Sequence, residues 1–184
     1  MLPLNTNLPA FSLPDLDGHV VSSDQFAGTP GLLVAFICTH CPYVKHIKAE
    51  FARFAREYRA KGLAVVAIAS NDASSHPDDG PSGMARDAKE QGYEFPYLFD
   101  ESQEVAKAFK AACTPDLFLF DREGKLAYRG QFDDSRPGNG KPVTGADLRA
   151  AADAVLAGTP VAAEQKASIG CNIKWRRGNE PSYA

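Results

Sequence analysis

Two cysteines separated by two residues, Cys38-Thr39-His40-Cys41, stand directly after the apolar run Leu32–Ile37 and directly before a segment patterned as an amphipathic helix. One helical turn brings residues at this spacing together, and alpha carbons that close can be bridged without moving the backbone. A helix start directs unpaired N–H groups outward, and that field favours a thiolate on Cys38. The thiolate is the attacking species in thiol–disulfide exchange. The motif therefore predicts a dithiol–disulfide couple. Cys38 attacks a substrate disulfide, Cys41 then attacks Cys38 and frees the reduced substrate, and the reverse direction oxidises dithiols.

The same residues allow a metal site or an idle structural pair. Zinc prefers four ligands, often as paired C-x-x-C motifs. Here the other two cysteines, Cys113 and Cys171, are single and distant in sequence. His40 or His46 would have to complete a set at a spacing that no known zinc motif uses. Redox chemistry is the preferred reading. His19, His46 and His76 read as surface or loop residues, and Arg129 and Asp133-Asp134 carry no assigned catalytic role.

The elements that position the motif follow from periodicity. Phe11–Leu13 and His19–Ser22 flank Pro14-Asp15-Leu16-Asp17-Gly18 and read as a hairpin. Leu32–Ile37 and Leu63–Ala69 are continuous apolar runs of strand length, suited to a sheet covered on both faces. Between them, Pro42 to Ala60 places Val44, Ile47, Phe51, Phe54 and Tyr58 on one helical stripe. Pro42 suits the first turn, and Gly62 the stop. Strand, helix, strand implies a parallel pair.

Asn71 to Gly83 is rich in Asp, Ser, Pro and Gly and reads as a loop. A short helix is expected from Met84 to Gln91, with Gly92 as its stop, then a strand at Tyr97–Phe99. Asp100 with Gln103 resembles a capping box for a helix running to about Lys110. Asp116–Asp121 and Lys125–Gln131 flank Arg122-Glu123-Gly124 as an antiparallel hairpin. Thr144 with Asp147 is expected to cap a last helix ending near Gly158 and Pro160. From Val161 onward there is no clear periodicity, so an extended tail lying on the domain is expected, with Trp175 as its anchor. The fold class is α/β, a mixed sheet with helices on both faces.

At 184 residues the chain fits one domain, 1–184, with a substantial core. A formal charge of −3 gives no reason to expect a nucleic-acid surface. No stretch reaches the ~18–20 apolar residues of a membrane span. The N-terminus lacks a basic region followed by an apolar core, so cytoplasmic residence is expected. Four cysteines are too few for a disulfide scaffold. No Gly-rich dinucleotide fingerprint occurs. No cofactor is expected; the expected substrate is a disulfide or dithiol, small or carried by a protein, and reducing equivalents are expected from an external partner protein.

The chain resembles the thioredoxin-fold superfamily, most closely its redoxin branch, the group associated with alkyl hydroperoxide reductases and peroxiredoxins. The resemblance covers roughly residues 8–158 by element order and motif, leaving 159–184 as the tail. In that family C-x-x-C follows the first central strand and opens the long helix, as Cys38 to Cys41 do here. A Thr-Pro pair with a cis peptide precedes the antiparallel hairpin, and Thr114-Pro115 matches it. The resemblance implies that Pro115 packs beside the cysteines and helps bind an extended substrate backbone. It also sets Cys113 near the cleft, which makes Cys113 a candidate accessory redox residue; Cys171 is a second candidate if the tail folds back over the site.

Departures from thioredoxin proper are equally specific. Ile37 replaces the Trp before the motif, Thr39-His40 replaces Gly-Pro, and Leu32 replaces a buried Asp that assists the second cysteine. A His-Cys pair at this point is similar to that of strongly oxidising periplasmic disulfide oxidases, so His40 is expected to make the site more oxidising than thioredoxin. The N-terminal hairpin and the insertion at about residues 71–100 resemble the redoxin and cytochrome-maturation branches. Peroxiredoxins carry Pro-x-x-x-Thr-x-x-Cys. With Cys41 at the peroxidatic position, the Thr position is Cys38 and the Pro position is Val34, so the thiol peroxidase reading ranks second. A non-catalytic metal-binding module ranks third.

Overall fold

The structure is a computed structural model that describes residues 2–183; the ends of the expected domain, Met1 and Ala184, lie outside the described residues. Strands β1 (Ser12–Pro14) and β2 (Val20–Ser22) form the expected antiparallel hairpin. Strand β3 (Gly31–Phe36) leads through the cysteine motif into α1 (Pro42–Ala60), and β4 (Ala64–Ala69) returns parallel to β3, with Leu33 opposite Val65. Helix α2 (Pro81–Gln91) and β5 (Tyr97–Phe99) follow, β5 pairing parallel to β4. Helix α3 (Glu104–Ala108) precedes the two-residue β6 (Cys113–Thr114). Strands β7 (Asp116–Asp121) and β8 (Leu126–Gly130) make the second hairpin. Helix α4 (Ala146–Ala157) and β9 (Cys171–Asn172) complete the order.

The central sheet runs β5-β4-β3-β7-β8, with β7 antiparallel to β3. Every residue of β3 is buried, because helices or the hairpin cover both faces. Side chains alternate across a strand. Leu33 and Ala35 therefore join the core under α1 and α4, with Phe51, Phe54, Tyr58 and Leu148. Leu32, Val34 and Phe36 join Phe11, Val105, Phe109 and Leu126 on the other face. The whole predicted stripe of α1, from Val44 to Tyr58, is buried.

Three local expectations need correction. Helix α2 begins at Pro81, inside the segment read as loop, because Pro81 supplies a ready first-turn residue after Gly80; it does stop at Gly92, whose φ of 64° is left-handed. Asp100 and Gln103 do not form a capping box: the Asp100 carboxylate turns inward and accepts from Ser70 Oγ at 2.9 Å and from the Ala106 N–H at 2.9 Å. Helix α3 is accordingly short. Thr144 and Asp147 do not cap α4 reciprocally either, since Asp147 accepts from Gln131 Nε2 and Gly145 occupies the capping position.

The tail lies on the domain as expected and also pairs with it. Strand β9 runs antiparallel to β6, with Thr114 opposite Cys171. Trp175 is a partial anchor, and Ile173 is the buried one, set in the core beside Phe109 and Leu98.

Candidate active site

The cysteine motif leaves the end of β3 and turns directly into α1, so the fold delivers both sulfurs to the edge where β3 and β7 separate. Cys38 is 1% exposed and Cys41 0%. Thr114 and Pro115, joined by a cis peptide bond, stand opposite them. Cys38 Sγ lies 3.3 Å from Thr114 Oγ1, and Cys41 Sγ lies 3.2 Å from the Thr114 carbonyl oxygen. The structure thus brings together Cys38, Cys41, Thr114 and Pro115. The four cysteines carry no disulfide in this state.

The two thiols are neighbours in one buried site, and their surroundings shift them in opposite directions. The contact with Cys41, then burial, then the Asp79 carboxylate raise the Cys38 thiol far above its ordinary value. Cys41 is lowered, first because the Cys38 thiol is directed at it, and further by the Cys171 thiol and by the N–H groups of Val44 and Cys171, against an opposing burial cost. The Thr114 carbonyl pulls the other way, as an acceptor for a protonated Cys41. Four donors oppose that one acceptor, so of the two sulfurs Cys41 is the one whose thiolate is favoured. The helix field expected to act on Cys38 acts on Cys41 instead, because Cys41 is the residue that caps α1.

Asp79 escaped the sequence reading. It is 0% exposed and sits beneath the motif. Its Oδ1 accepts from the Thr39 N–H at 2.9 Å and from Thr39 Oγ1 at 2.7 Å. Its Oδ2 lies 2.5 Å from His40 Nδ1 and accepts from Asn71 Nδ2 at 2.8 Å. Burial pushes this carboxyl up, but hydrogen bonds from Asn71 and Thr39, together with His40, hold it below the ordinary carboxylate range. Asp79 arrives in a polar loop about forty residues after the motif. No local spacing marks it; its one sequence signal is an acidic residue in the loop that follows β4.

His40 is turned to Asp79 and stacks on His76, with ring centroids 4.7 Å apart. Its ring nitrogen, Cys38 Sγ and an Asp79 oxygen lie within 4.8 Å of one another, the kind of donor set that holds a metal ion. Asp79 is already committed to Thr39, His40 and Asn71, so a cation there competes with those bonds. His46 is bonded to Ser135 instead, and borders a small cleft beside Pro115 that Tyr43, Arg136 and Ile169 also line.

The two accessory candidates separate. Cys171 faces Cys41, and burial followed by that contact pushes its thiol up to about 11. Cys113 lies on the opposite side of β6 from the Thr114 hydroxyl, directed at the Pro115 carbonyl at 3.6 Å. Burial pushes its thiol up to about 12, away from the thiolate form that exchange requires. Arg129 pairs with Asp116 in the strands beneath Pro115, Nη2 to Oδ2 3.0 Å, with both side chains buried. Lys48, on α1, is held by Asp87 of α2 at 2.9 Å.

A mixed sheet in this order, with a dithiol at the start of its long helix and a cis-proline opposite, defines a thioredoxin-fold protein. The Redoxin family model matches residues 3–148. The chain belongs to the Redoxin family. It is 30% identical over 135 residues to a chloroplastic peroxiredoxin Q of Suaeda salsa, covering 67% of this chain and 58% of that protein. The match therefore spans little more than half of that relative's length. The crystal structure of a hypothetical protein from Sinorhizobium meliloti 1021 is 55% identical and superimposes with a TM-score of 0.95 over 97% of each chain. A thiol:disulfide interchange protein of the thioredoxin family from Chlorobium tepidum TLS matches with a TM-score of 0.65 at 21% identity, over 85% of this chain and 99% of that one, a likeness of fold. Among the described residues no helix is long and apolar enough to cross a membrane.

Proposed function

We propose that the protein is a thiol–disulfide oxidoreductase whose Cys38–Cys41 pair cycles between dithiol and disulfide. The observation that carries this reading is the placing of both sulfurs on one residue at the start of α1, with Cys38 Sγ 3.3 Å from Thr114 Oγ1 and Cys41 Sγ 3.2 Å from the Thr114 carbonyl oxygen, beside Pro115. With the negative charge on Cys41, Cys41 acts as base. As Cys38 attacks one sulfur of a substrate disulfide, its proton crosses to Cys41 and the other substrate sulfur departs with the electron pair. Cys41 passes the proton to that leaving thiolate, attacks Cys38, and expels the second substrate sulfur. The substrate is a disulfide or a dithiol, small or carried by a protein. A protein dithiol restores the pair in a reducing compartment such as the cytoplasm. No cofactor, nucleic acid or membrane enters this cycle.

The test is an equilibrium titration of the Cys38–Cys41 couple in a glutathione redox buffer, with an insulin reduction assay on Cys38→Ser. A defined two-electron midpoint and loss of exchange in the variant are expected. A pair that stays reduced across the range, or a variant that retains full exchange, overturns the reading.

A second reading is a peroxiredoxin-like peroxidase. It is favoured by the buried Cys41, which small oxidants reach more readily than proteins do, and by the likeness to a peroxiredoxin. Peroxide consumption that Cys41→Ser abolishes, with no exchange activity in the parent, would support it. Elemental analysis of fresh protein tests the metal-binding reading, which requires stoichiometric zinc.

A further inference from the structure

The two sulfurs of the motif are sealed from solvent, yet a third sulfur of the same site is not. Strand β9 lies along β6 so that Cys171 stands directly opposite Thr114. The Thr114 carbonyl is the group that touches Cys41 Sγ, at 3.2 Å. Cys171 and Cys41 therefore meet over one peptide group. Cys171 is half-buried, so it is the most accessible sulfur of the three.

The tail is built to hold this position. A Cβ on Gly170 would lie 2.0 Å from the Thr114 carbonyl oxygen, so only glycine lets the tail come so close. The Ile173 N–H donates to the Ala112 carbonyl at 3.2 Å, and the Ile173 side chain is buried. Beyond it, the Lys174 N–H donates to Asn71 Oδ1 at 2.8 Å, while its carbonyl accepts from the Asp72 N–H at 2.8 Å and from Gln103 Nε2 at 2.9 Å. On the other side, Ser168 Oγ donates to the Gly130 carbonyl at 2.7 Å. An exposed tail with no role at the site has no need of ties on both sides of one cysteine. The strand lies where an extended peptide would otherwise add to β6.

We propose that Cys171 is a third redox cysteine, which exchanges with the Cys38–Cys41 disulfide to form a Cys41–Cys171 disulfide at the accessible edge of the site. The inference rests on the proposed Cys38–Cys41 cycle. In the step, the Cys171 thiolate attacks Cys41 Sγ. The Cys41–Cys171 bond forms, the Cys38–Cys41 bond breaks, and the electron pair leaves on Cys38, which takes up the proton that Cys171 lost. No external oxidant or reductant is consumed. An external protein dithiol then reduces the new bond through its half-buried sulfur, which is more exposed than either sulfur of the motif.

Trypsin makes the test direct. Cys38 and Cys41 share the peptide 1–45, Cys171 lies in 167–174, and Cys113 lies in 111–122. Full-length protein equilibrated in an oxidising glutathione buffer is alkylated, digested without reduction and analysed by mass spectrometry. Wild type is expected to show the intact 1–45 disulfide together with a cross-link of 1–45 to 167–174. Cys38→Ser is expected to convert to the cross-link almost completely, and Cys113→Ser to match wild type. Gly170→Ala is expected to lose the cross-link while still forming the 1–45 disulfide. A Cys38→Ser protein that ends as a glutathione adduct on Cys41, with the 1–45 disulfide the sole wild-type product, overturns the role of Cys171 and leaves the Cys38–Cys41 cycle standing. Absence of the 1–45 disulfide and of the cross-link overturns both.

Discussion

Replacing Asp79 with Asn removes a negative charge held within 4.8 Å of the Cys38 sulfur. At an effective dielectric constant of about 20, two unit charges at that distance repel by roughly 3.5 kcal/mol, or about 2.5 pKa units. The donors on Asp79 and the solvent that reaches the half-buried His40 ring offset part of this charge, leaving about 1–2 units. Removing the charge eases formation of the Cys38 thiolate, so its pKa falls. The substitution spares part of the loop, because Asn Oδ1 still accepts from Thr39 as Asp79 Oδ1 does. The assay uses a background of Cys41→Ser, Cys113→Ser and Cys171→Ser, in which Cys38 titrates alone. Alkylation rate against pH, with and without Asp79→Asn, gives the two values. A Cys38 pKa that is unchanged or higher in the Asn protein refutes the argument that Asp79 holds the proton on Cys38.

The other predictions concern acid stability, redox potential and the strands beneath the site. Because the Asp79 carboxyl is lowered on folding, its contribution to stability is fully present above the ordinary carboxylate value of about 4 and is lost as pH falls through the lowered value. Urea midpoints at neutral and acid pH should therefore differ less in Asp79→Asn than in wild type. His40→Pro removes the ring that faces Asp79 and the His40 N–H that Asp79 also accepts. A loss of ~1–2 kcal/mol of thiolate stabilisation should make the couple about 20–45 mV more negative; an unchanged potential in glutathione buffer removes His40 from the argument. Arg129→Ala leaves Asp116 buried without its partner and should destabilise the fold by about 3–5 kcal/mol in urea titration. Arg129→Met combined with Asp116→Leu should recover most of that loss.

Long, strongly patterned elements were legible because their signal is local. Helix α1 runs from Pro42 to Ala60 as its stripe and first-turn proline require, and β3 and β4 show as apolar runs because both faces of the sheet are covered. The capping arguments for α3 and α4 failed where tertiary bonds outbid local ones. Asp100 reaches Ser70, and Gln103 is drawn to the tail, where it bonds the Lys174 carbonyl and the Arg176 N–H. The motif and Thr114-Pro115 could be found by pattern and resemblance. Asp79 could not, since Thr39, His40 and Asn71 become its partners only after the chain has folded. Two-residue strands such as β9 carry no periodicity, so the tail read as extended chain and its register against Thr114 was invisible.

Asn71 is engaged at both ends of its amide: the oxygen holds the Lys174 N–H, and the nitrogen serves the Asp79 carboxylate. A binding partner that peels the C-terminal segment away therefore releases this amide to rotate. Asp79 then surrenders a donor, its charge bears more strongly on Cys38, and mechanical access becomes coupled to acidity. One small side chain thus ties the seat of the C-terminal segment to the carboxylate beneath the motif.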